Sequence, residues 1–416
     1  LTLNIVILEH ELTSMINLLN KLVNSGIDGI IVQDLGMFNL VKKHFPTLDI
    51  HASTQLTTHN EGQIRFLSKI GASRVNLSRE LNLDEIKTLT AVAHDVDVLT
   101  EVFVHGALCI AFSGQCYSSS VSVGNSGNRG RCSQACRDEY EPTATGNKFP
   151  LNLKDNSAYF DLPELVDAEV DSLKIEGRIK GANYVHTVVD SWRKQIDQFV
   201  ATGKLLDDNS NLYKVFNRDF TNLFLKGDMT KSMFIDNPKD HSFNHITEKS
   251  NAISVVQIQE VKDEFAAEKK EIGTLVNEKI KCLSIAKQPI SFAFSGQDGE
   301  PLTVTVTLGA LPDTPLNHQS KTFKVTTDIS LRSDEKASLD HAAIEKRFKT
   351  FPNASVVVEG FDFGGLGDNL TLPFKAITQL KNNVAMLLNG TDKVVQAVKV
   401  PALTKHPKIN VEPTLS

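Results

Sequence analysis

Apolar runs of strand length alternate with helical patterns from residue 1 to about residue 195. In the stretch "ELTSMINLLNKLVNSG", residues 11–26, apolar residues recur at i, i+3, i+4 and i+7, which predicts an amphipathic helix. Seven runs are predicted strands, namely residues 1–7, 29–34, 49–54, 73–78, 96–105, 150–155 and 171–177. Repeated βα units predict a parallel sheet, in either a barrel or a doubly wound fold.

No GxGxxG motif follows a predicted strand, which weakens the case for a dinucleotide-binding sheet. The pattern favours an α/β fold of the TIM type over residues 1–195, a (β/α)8 barrel whose first βα units are missing. Residues 196–250 are polar and irregular, and we interpret them as a connector. Residues 251–416 are predicted to form a smaller α+β module. Its predicted strands are 252–261, 279–286, 289–296 and 301–309, and its predicted helices are 338–351 and 372–390.

Composition narrows the possible partners and compartment. The 416 residues are 41% hydrophobic and 23% charged, with a formal net charge of -6. A nucleic-acid partner must therefore be bound by a local basic patch, because the chain has no general basic surface. No apolar run reaches the roughly 18 residues that span a bilayer. Five cysteines are too few for a disulfide scaffold, so we expect a cytoplasmic protein with reduced thiols.

Four of the five cysteines, Cys109, Cys116, Cys132 and Cys136, are spaced C-x6-C-x15-C-x3-C. Clustered thiols in a reducing compartment are typical of a soft-metal site. The spacing lacks the CxxC knuckle of structural zinc, whereas an iron–sulfur cluster accepts irregular spacings in a loop rich in Gly and Ser. We therefore favour an iron–sulfur cluster, with zinc, disulfides or unliganded thiols as alternatives. Cys282 alternates with apolar residues, and we expect it in the core.

Polar side chains gather at the C-terminal ends of four predicted strands, where barrel enzymes build their active sites. Residues two apart on a strand share a face. The side chains predicted to share faces in this way are His51, Ser53 and Gln55; Glu101, Phe103 and His105; Asn152 and Lys154; and Lys174, Glu176 and Arg178. Any one of them fits an ordinary surface position, but the same asymmetry in four strands indicates an active site.

These side chains suit proton transfer and the binding of an anionic substrate. The candidate catalytic residues are Lys174, Glu176, His51, His105 and Glu101. The candidate substrate-binding residues are Ser53, Gln55, Asn152, Lys154, Arg178, Arg129 and Arg131. The last two lie beside the third cysteine, and we expect them to balance the charge of a cluster or to bind a substrate phosphate. GxSxG, HExxH and P-loop motifs do not occur in the sequence, which counts against an ordinary hydrolase.

The blocks "HASTQ", "EVFVHGALCIAFSGQC", "GNRGRCSQACR", "LNLKD" and "SLKIEGRIKGANYV" resemble the signature blocks of peptidase family U32, long labelled collagenase-like. The resemblance covers about residues 1–245. The part after residue 250 is similar to the C-terminal extension of a subgroup that makes 5-hydroxycytidine in 23S ribosomal RNA. A sister subgroup hydroxylates a wobble uridine of transfer RNA.

The resemblance implies a barrel enzyme with an iron–sulfur cluster, of the 4Fe–4S type, on the four clustered cysteines. It also implies hydroxylation at C5 of an RNA pyrimidine, first of all a cytidine of 23S ribosomal RNA, with prephenate as co-substrate. A collagenase-like peptidase, a transfer-RNA hydroxylase and a non-catalytic RNA-binding factor are the alternatives. The opening strands of the family have no counterpart in the sequence, so we expect an N-terminally incomplete chain.

Overall fold

The structure, a computed structural model, describes residues 1–25, 27–142, 144–177, 180–250, 252–282, 287–310, 321–334, 339–349, 351, 356–388 and 397–398. The chain divides into two compact units. The first comprises Leu1–Ile7 and Asp28–Leu283, and the second comprises Leu8–Ile27 and Ser284–Ser416. All predicted site residues fall in the first unit, and one of them, Arg178, lies outside the described residues.

Strands and helices alternate through most of the described chain. The strands are β1 (Thr2–Leu3), β2 (Gly29–Val32), β3 (Asp49–Ala52), β4 (Ala72–Asn76), β5 (Leu99–Gly106), β6 (Asp155–Ser157), β7 (Ser172–Ile175), β8 (Phe220–Thr221), β9 (Gln288–Gly296), β10 (Pro301–Leu308), β11 (Lys321–Ser330), β12 (Arg332–Ser333), β13 (Val356–Leu366) and β14 (Leu370–Thr371). The α-helices are α1 (Leu12–Leu22), α2 (Leu35–His44), α3 (Glu61–Ile70), α4 (Leu83–His94), α5 (Ser118–Val123), α6 (Leu162–Asp167), α7 (Ala182–Thr202), α8 (Ser210–Tyr213), α9 (Leu223–Lys226), α10 (Ser242–Lys249), α11 (Val255–Cys282), α12 (His341–Lys349) and α13 (Phe374–Leu388). None of these helices is both long and apolar enough to cross a membrane.

The first unit is built on a sheet that contains eight strands within the described residues. Strands β1 to β5 pair in chain order and in parallel, and β7 pairs in parallel with β5. The short β6 pairs antiparallel with the end of β5 and parallel with β8. The alternating pattern of the sequence therefore predicted the α/β class and the parallel sheet correctly.

The pairings along this sheet follow the order of a barrel, but they do not close it. Among the described residues, no pairing joins β1 to β7 or β8. The segment 196–250, predicted as a connector, supplies β8 to the sheet through its pairing with β6. A strand of two residues has no period-2 pattern, so the sequence offers no signal for it.

Side-chain caps fix where the helices of the first unit begin. The Asp34 carboxylate accepts a hydrogen bond from the backbone N–H of Met37 at the start of α2. Asn60 caps α3 in the same way, and Asn82 forms a capping box with Glu85 at the start of α4. Such caps satisfy backbone donors that the first helical turn leaves unpaired. Each cap therefore marks the residue at which the loop after the preceding strand ends and the helix begins.

One long helix replaces two strands predicted for the C-terminal module. Residues 252–261 and 279–286 are predicted as strands, yet α11 runs from Val255 to Cys282, and residues 283–286 lie outside the described residues. The helix is rich in Glu and Lys, whose helix propensity over 28 residues outweighs a short apolar alternation. The prediction that Cys282 is a core residue is also wrong, because its side chain is exposed.

Among its described residues, the second unit has a four-stranded sheet in the order β11-β10-β9-β13. Strand β9 pairs antiparallel with β10 and parallel with β13. Phe292 and Phe294 on β9 pack edge-to-face against Phe348 of α12, with ring centroids 5.0 and 5.1 Å apart. The strands predicted at 289–296 and 301–309 and the helices predicted at 338–351 and 372–390 are found as β9, β10, α12 and α13.

Candidate active site

One face of the parallel sheet carries polar side chains, and we call it the polar face. It is formed by His51 on β3, Arg74 and Asn76 on β4, Glu101 and Phe103 on β5, and Lys174 on β7. The intervening residues Val75 and Val102 are buried. Because side chains alternate along a strand, each strand contributes every second residue to the polar face.

An ion pair between Glu101 and Lys174 links β5 to β7 on the polar face. The Lys174 Nζ lies 2.6 Å from Glu101 Oε2, and the same oxygen accepts a hydrogen bond from Asn76 Nδ2 at 2.6 Å. Ser172 Oγ donates to the other carboxylate oxygen at 3.3 Å. The Glu101 and Lys174 side chains keep 15% and 25% of their surface exposed. Three donors thus orient the carboxylate, and both charged groups can still be reached.

A second ion pair lies beyond the ends of β4 and β7. The Arg79 NH1 lies 3.3 Å from Glu176 Oε2. The Arg79 guanidinium carbon and Lys174 Nζ lie 5.5 and 5.3 Å from the centroid of the Phe103 ring. A side chain at Gly106, where φ is +121°, would bring its Cβ to 2.8 Å from the Glu176 Cβ. Glycine at this position therefore lets β5 pass close to Glu176.

His51 is the neutral member of the polar face. Its backbone is in register with that of Arg74 on the neighbouring strand. Burial lowers the pKa of His51, and the positive charge of Arg74 adds to that effect, while the charges of Glu101 and Asp49 oppose it. The imidazole is therefore uncharged near pH 7, a state in which one ring nitrogen donates and the other accepts a hydrogen bond.

His105 occupies a different environment from the other candidate catalytic residues. The register of β5 against β7 shifts between Phe103 and His105. The imidazole contacts the rings of Trp192 and Phe220, with centroids 6.5 and 5.2 Å away. It is 1% exposed, its Nδ1 has no hydrogen-bond partner in the described part of the chain, and burial lowers its pKa to about 3. The structure thus brings His105 into an aromatic cluster, whereas Phe103 lies on the polar face.

Amide side chains fasten the cysteine segment, which we define as residues 109–136, to the strand ends. Gln55 follows β3 and donates through Nε2 to Asn128 Oδ1 at 2.9 Å. Asn128 Nδ2 donates to Gln33 Oε1, after β2, at 3.2 Å. Gln115 Nε2 donates to the Gln55 carbonyl at 2.5 Å, and the buried Ser53 Oγ accepts from the Gln55 N–H at 3.3 Å. Ser53 and Gln55 therefore lie at the junction between sheet and cysteine segment.

The four clustered thiols differ in exposure. Cys109 and Cys136 are half-buried, while Cys116 and Cys132 are exposed. Burial raises the pKa of Cys136; the charge of Arg137 opposes this rise, and Cys109 and Cys132 add to it. Four thiols in one segment match the ligand type of an iron–sulfur cluster. As described, however, no group of three or more His, Cys, Asp or Glu side chains is arranged to hold a metal ion.

Arg137 anchors the C-terminal end of the cysteine segment. Its guanidinium donates to Asn152 Oδ1, to the Leu153 carbonyl at 2.5 Å and to the Leu108 carbonyl at 2.7 Å. Burial lowers the pKa of Arg137. Asn152, a candidate substrate-binding residue, is fully buried and also donates to the Ile235 carbonyl at 2.7 Å. Both side chains of this pair are thus engaged by the protein itself.

The remaining predicted residues have scattered positions. Lys154 forms an ion pair with Asp219 at 2.8 Å, and Arg129 donates to the Val6 carbonyl at 3.0 Å. Arg129 and Arg131 are both exposed. Of all the predicted site residues, contacts or strand register bring three together on the polar face, namely His51, Glu101 and Lys174.

The polar face also contains residues that the sequence analysis did not single out. Arg74 and Asn76 lie inside β4, and Arg79 lies just beyond it, in the stretch "SRVNLSR". The sequence signal that could have identified them is the alternation of polar and apolar residues, because Arg74 and Asn76 flank the apolar Val75. A search confined to polar groups at the C-terminal ends of strands passes over Arg74, whereas Asn76 ends β4 and Arg79 follows it, so these two fall within such a search.

The fold and the site together define the class of protein: an α/β protein whose parallel sheet carries charged side chains on one face and a four-cysteine segment at its strand ends. The family model described as "Peptidase family U32" matches residues 1–234, and the chain belongs to that family. The matched residues include β1 to β8 and the whole cysteine segment. The family resemblance noted in the sequence is therefore confirmed.

Three curated relatives illustrate the range of names within the matches. The chain is similar to the "23S rRNA 5-hydroxycytidine C2501 synthase" of Escherichia coli K12, with 37% identity over 257 residues, which cover 57% of this chain and 38% of that protein. It is 31% identical over 266 residues to "tRNA hydroxylation protein P1" of Bacillus subtilis 168, covering 59% of this chain and 62% of that protein. It is 32% identical over 243 residues to a "Collagenase" of Porphyromonas gingivalis W83, covering 53% of this chain and 57% of that protein.

The aligned part of the chain spans less than two thirds of each of these relatives, and about two fifths of the Escherichia coli protein. No solved structure matches the chain.

Proposed function

We propose that this chain belongs to an RNA-modifying hydroxylase that introduces a hydroxyl group at C5 of a pyrimidine, with a cytidine of 23S ribosomal RNA as the first candidate. Relatives named as an rRNA 5-hydroxycytidine synthase and as a tRNA hydroxylation protein support an RNA substrate. The proposed substrate would locate the protein in the cytoplasm.

One structural observation supports this function above the others. The cysteine segment is hydrogen-bonded through Asn128 to Gln55, which follows β3, and β3 belongs to the same sheet as β5 and β7, which bear the Glu101–Lys174 pair. Groups suited to bind a substrate and a segment with the ligands of a redox cluster therefore belong to one sheet. A hydroxylation, which removes two electrons from the ring carbon, needs both parts in one site.

The side chains of the polar face supply plausible roles for a pyrimidine substrate. The half-buried Phe103 ring offers an apolar surface beside two cations, which suits a flat aromatic base. Glu101 accepts hydrogen bonds and would receive one from the exocyclic amino group of cytosine, while Lys174 Nζ would donate to the base carbonyl. Neutral His51 is the group of this face that would take up a proton at a ring nitrogen near pH 7.

We further propose that Cys109, Cys116, Cys132 and Cys136 hold an iron–sulfur cluster of the 4Fe–4S type, and that prephenate is a co-substrate. The donor set is chemically suited to iron, and Gln134 N–H donates to the Cys132 sulfur at 3.4 Å, the kind of contact that tunes such clusters. A bound cluster would supply a one-electron redox centre. In the same proposal, the parallel sheet belongs to a fold of the (β/α)8 barrel type.

A peptidase is the second candidate, since relatives named collagenase also match. His105, a possible general base, is buried against aromatic rings with its pKa lowered to about 3, which does not suit proton transfer near neutral pH. A transfer-RNA hydroxylase, the third candidate, would use the same polar face on a wobble uridine.

Nucleoside mass spectrometry on separated ribosomal and transfer RNA from a strain lacking the gene distinguishes the three candidates. We expect 5-hydroxycytidine to disappear from ribosomal RNA and to return when the gene is restored. Loss of 5-hydroxyuridine from transfer RNA instead would favour the third candidate. Unchanged levels of both nucleosides would contradict the proposed function and favour the peptidase.

A further inference from the structure

Arg74 is a charged group of the polar face that has no partner among the described residues. It lies inside β4, half-buried, two residues before Asn76. Its Nε is buried without a hydrogen-bond partner, and no residue in the described part of the chain forms a hydrogen bond or ion pair with its guanidinium. A half-buried charge without a partner is costly to maintain, so its presence calls for a ligand.

The neighbouring charges show what kind of ligand would fit. Lys174 is paired with Glu101, and Arg79 is paired with Glu176, so these four charges cancel. The positive charge of Arg74 has no ion-pair partner among the described residues; the exposed Asp49, two residues before His51 on β3, is a further charge near this face. A group with one negative charge would balance the charge of Arg74, and a planar guanidinium binds two oxygens of such a group at once.

We propose that Arg74 binds a monoanionic oxyanion group, either a carboxylate or a phosphate diester, of the molecule that occupies the polar face, with His51 as a neighbouring hydrogen-bond partner. The inference rests on the proposed function only in assigning this anion to a substrate or co-substrate. A small carboxylic acid and the backbone of an RNA share this chemistry, and separate probes distinguish them.

Isothermal titration of the full chain with the monocarboxylate propionate, and separately with the dinucleotide cytidylyl-(3′→5′)-cytidine, tests the proposal. We expect at least one of the two to bind, and Arg74→Gln to weaken that binding by at least about tenfold, the usual scale for the loss of a charge-assisted contact. The matched control is Arg65→Gln, since Arg65 is exposed on α3. Propionate binding would identify a carboxylate ligand, and dinucleotide binding would identify a phosphate diester.

A second readout comes from the imidazole next to Arg74. The charge of Arg74 helps to lower the pKa of His51, together with burial and the N-terminal amine, against Glu101 and Asp49. An anion bound to Arg74 offsets its charge, so the probe should raise the pKa of His51, measured by NMR, in the wild type. In Arg74→Gln the pKa should already be raised and should no longer respond.

Arg74→Lys keeps the positive charge but lacks the planar guanidinium that can bind two oxygens at once. This variant serves as the test if Arg74→Gln does not fold. It should retain the lowered pKa of His51 and bind the probe more weakly than the wild type. Absence of binding by both probes, or equal binding in wild type and Arg74 variants, would overturn the proposal. The titration measures binding without turnover, so Arg74 can be shown to bind an anion even where the RNA shows no change in hydroxylation. The anion-binding proposal and the proposed function can therefore fail separately.

Discussion

At the scale of single residues, burial decides what each ionisable side chain can do. Glu101 and Lys174 keep part of their surface accessible and neutralise each other across 2.6 Å. His105, which the sequence groups with them, is enclosed by aromatic rings and stays neutral down to about pH 3. The first pair is therefore available to a substrate, and the buried imidazole is a packing residue whose protonation opposes folding.

His105 should make the first unit sensitive to acid. Its folded-state pKa is about 3 against an ordinary value of 6.5, so between these values the unfolded chain binds one more proton than the folded chain. Stability should fall by about 1.4 kcal/mol per pH unit as the pH drops from 6.5. Above pH 6.5 both states are neutral, and this contribution to the pH dependence vanishes.

The test compares urea unfolding at pH 7 and pH 5, followed through the fluorescence of the one tryptophan, Trp192, which contacts His105. Between pH 7 and pH 5, the free energy of unfolding of His105→Leu should fall by about 2 kcal/mol less than that of the wild type. His59→Leu, at an exposed position of the first unit, serves as control. If the free energy of unfolding falls by the same amount in His105→Leu and in the wild type, another group is responsible for the acid sensitivity.

At the scale of elements, a buried ion pair joins β6 to the segment before β8. Arg218 NH1 lies 2.9 Å from Asp155 Oδ1, with side chains 9% and 3% exposed. The Arg218 N–H also donates to Asp155 Oδ2 at 3.2 Å. Removing one partner leaves a buried charge without compensation, so Arg218→Met should destabilise the first unit by about 3 to 5 kcal/mol.

The exposed pair Lys87–Asp167 provides the matched control, with side chains 57% and 74% exposed. Lys87→Met should leave the free energy of unfolding nearly unchanged, because water screens an exposed pair. Chemical denaturation of both variants at pH 7 measures the difference. A similar decrease in the free energy of unfolding for the two substitutions would mean that the Asp155–Arg218 pair is not buried.

The cysteine segment is the element most directly linked to the proposed cofactor. If it holds an iron–sulfur cluster, Cys132→Ser should remove most of the iron, acid-labile sulfide and visible absorbance of anaerobically purified protein. Cys282→Ser is the control, since Cys282 is exposed on α11 outside the segment. Zinc without sulfide in the wild-type protein would contradict the proposal and indicate a structural site.

Short-range pattern predicted the elements before residue 250 better than those after it. The helices at 61–70 and 83–94 have both an apolar face and a side-chain cap, so two independent signals agree. In α11, short alternations near each end imitate strands, and only the composition of the whole 28-residue stretch indicates a helix. Strand β13 was not predicted, and its parallel partner β9 lies far away in the chain. Strand β11 was not predicted either, although it pairs with the preceding strand β10.

At the scale of the whole molecule, the sequence predicted the α/β class and the family, but only part of the site. Glu101 and Lys174 were predicted because they stand on one face of neighbouring strands. Period-2 alternation also placed His105 beside them, but a register shift in β5 intervenes, and no local pattern reveals such a shift. The unpaired state of Arg74 depends on which charges surround it in space, which the sequence alone does not contain.

The account as a whole depends on the polar face acting in RNA hydroxylation. The most direct test restores the gene in a deletion strain as wild type, as Lys174→Met, or as Lys43→Met, which changes an exposed lysine of α2. We predict that 5-hydroxycytidine in ribosomal RNA returns with the wild type and Lys43→Met, and stays at least about 100-fold lower with Lys174→Met, the scale of a lost proton-transfer or orienting group. Full hydroxylation with Lys174→Met, at equal protein levels, would contradict the account.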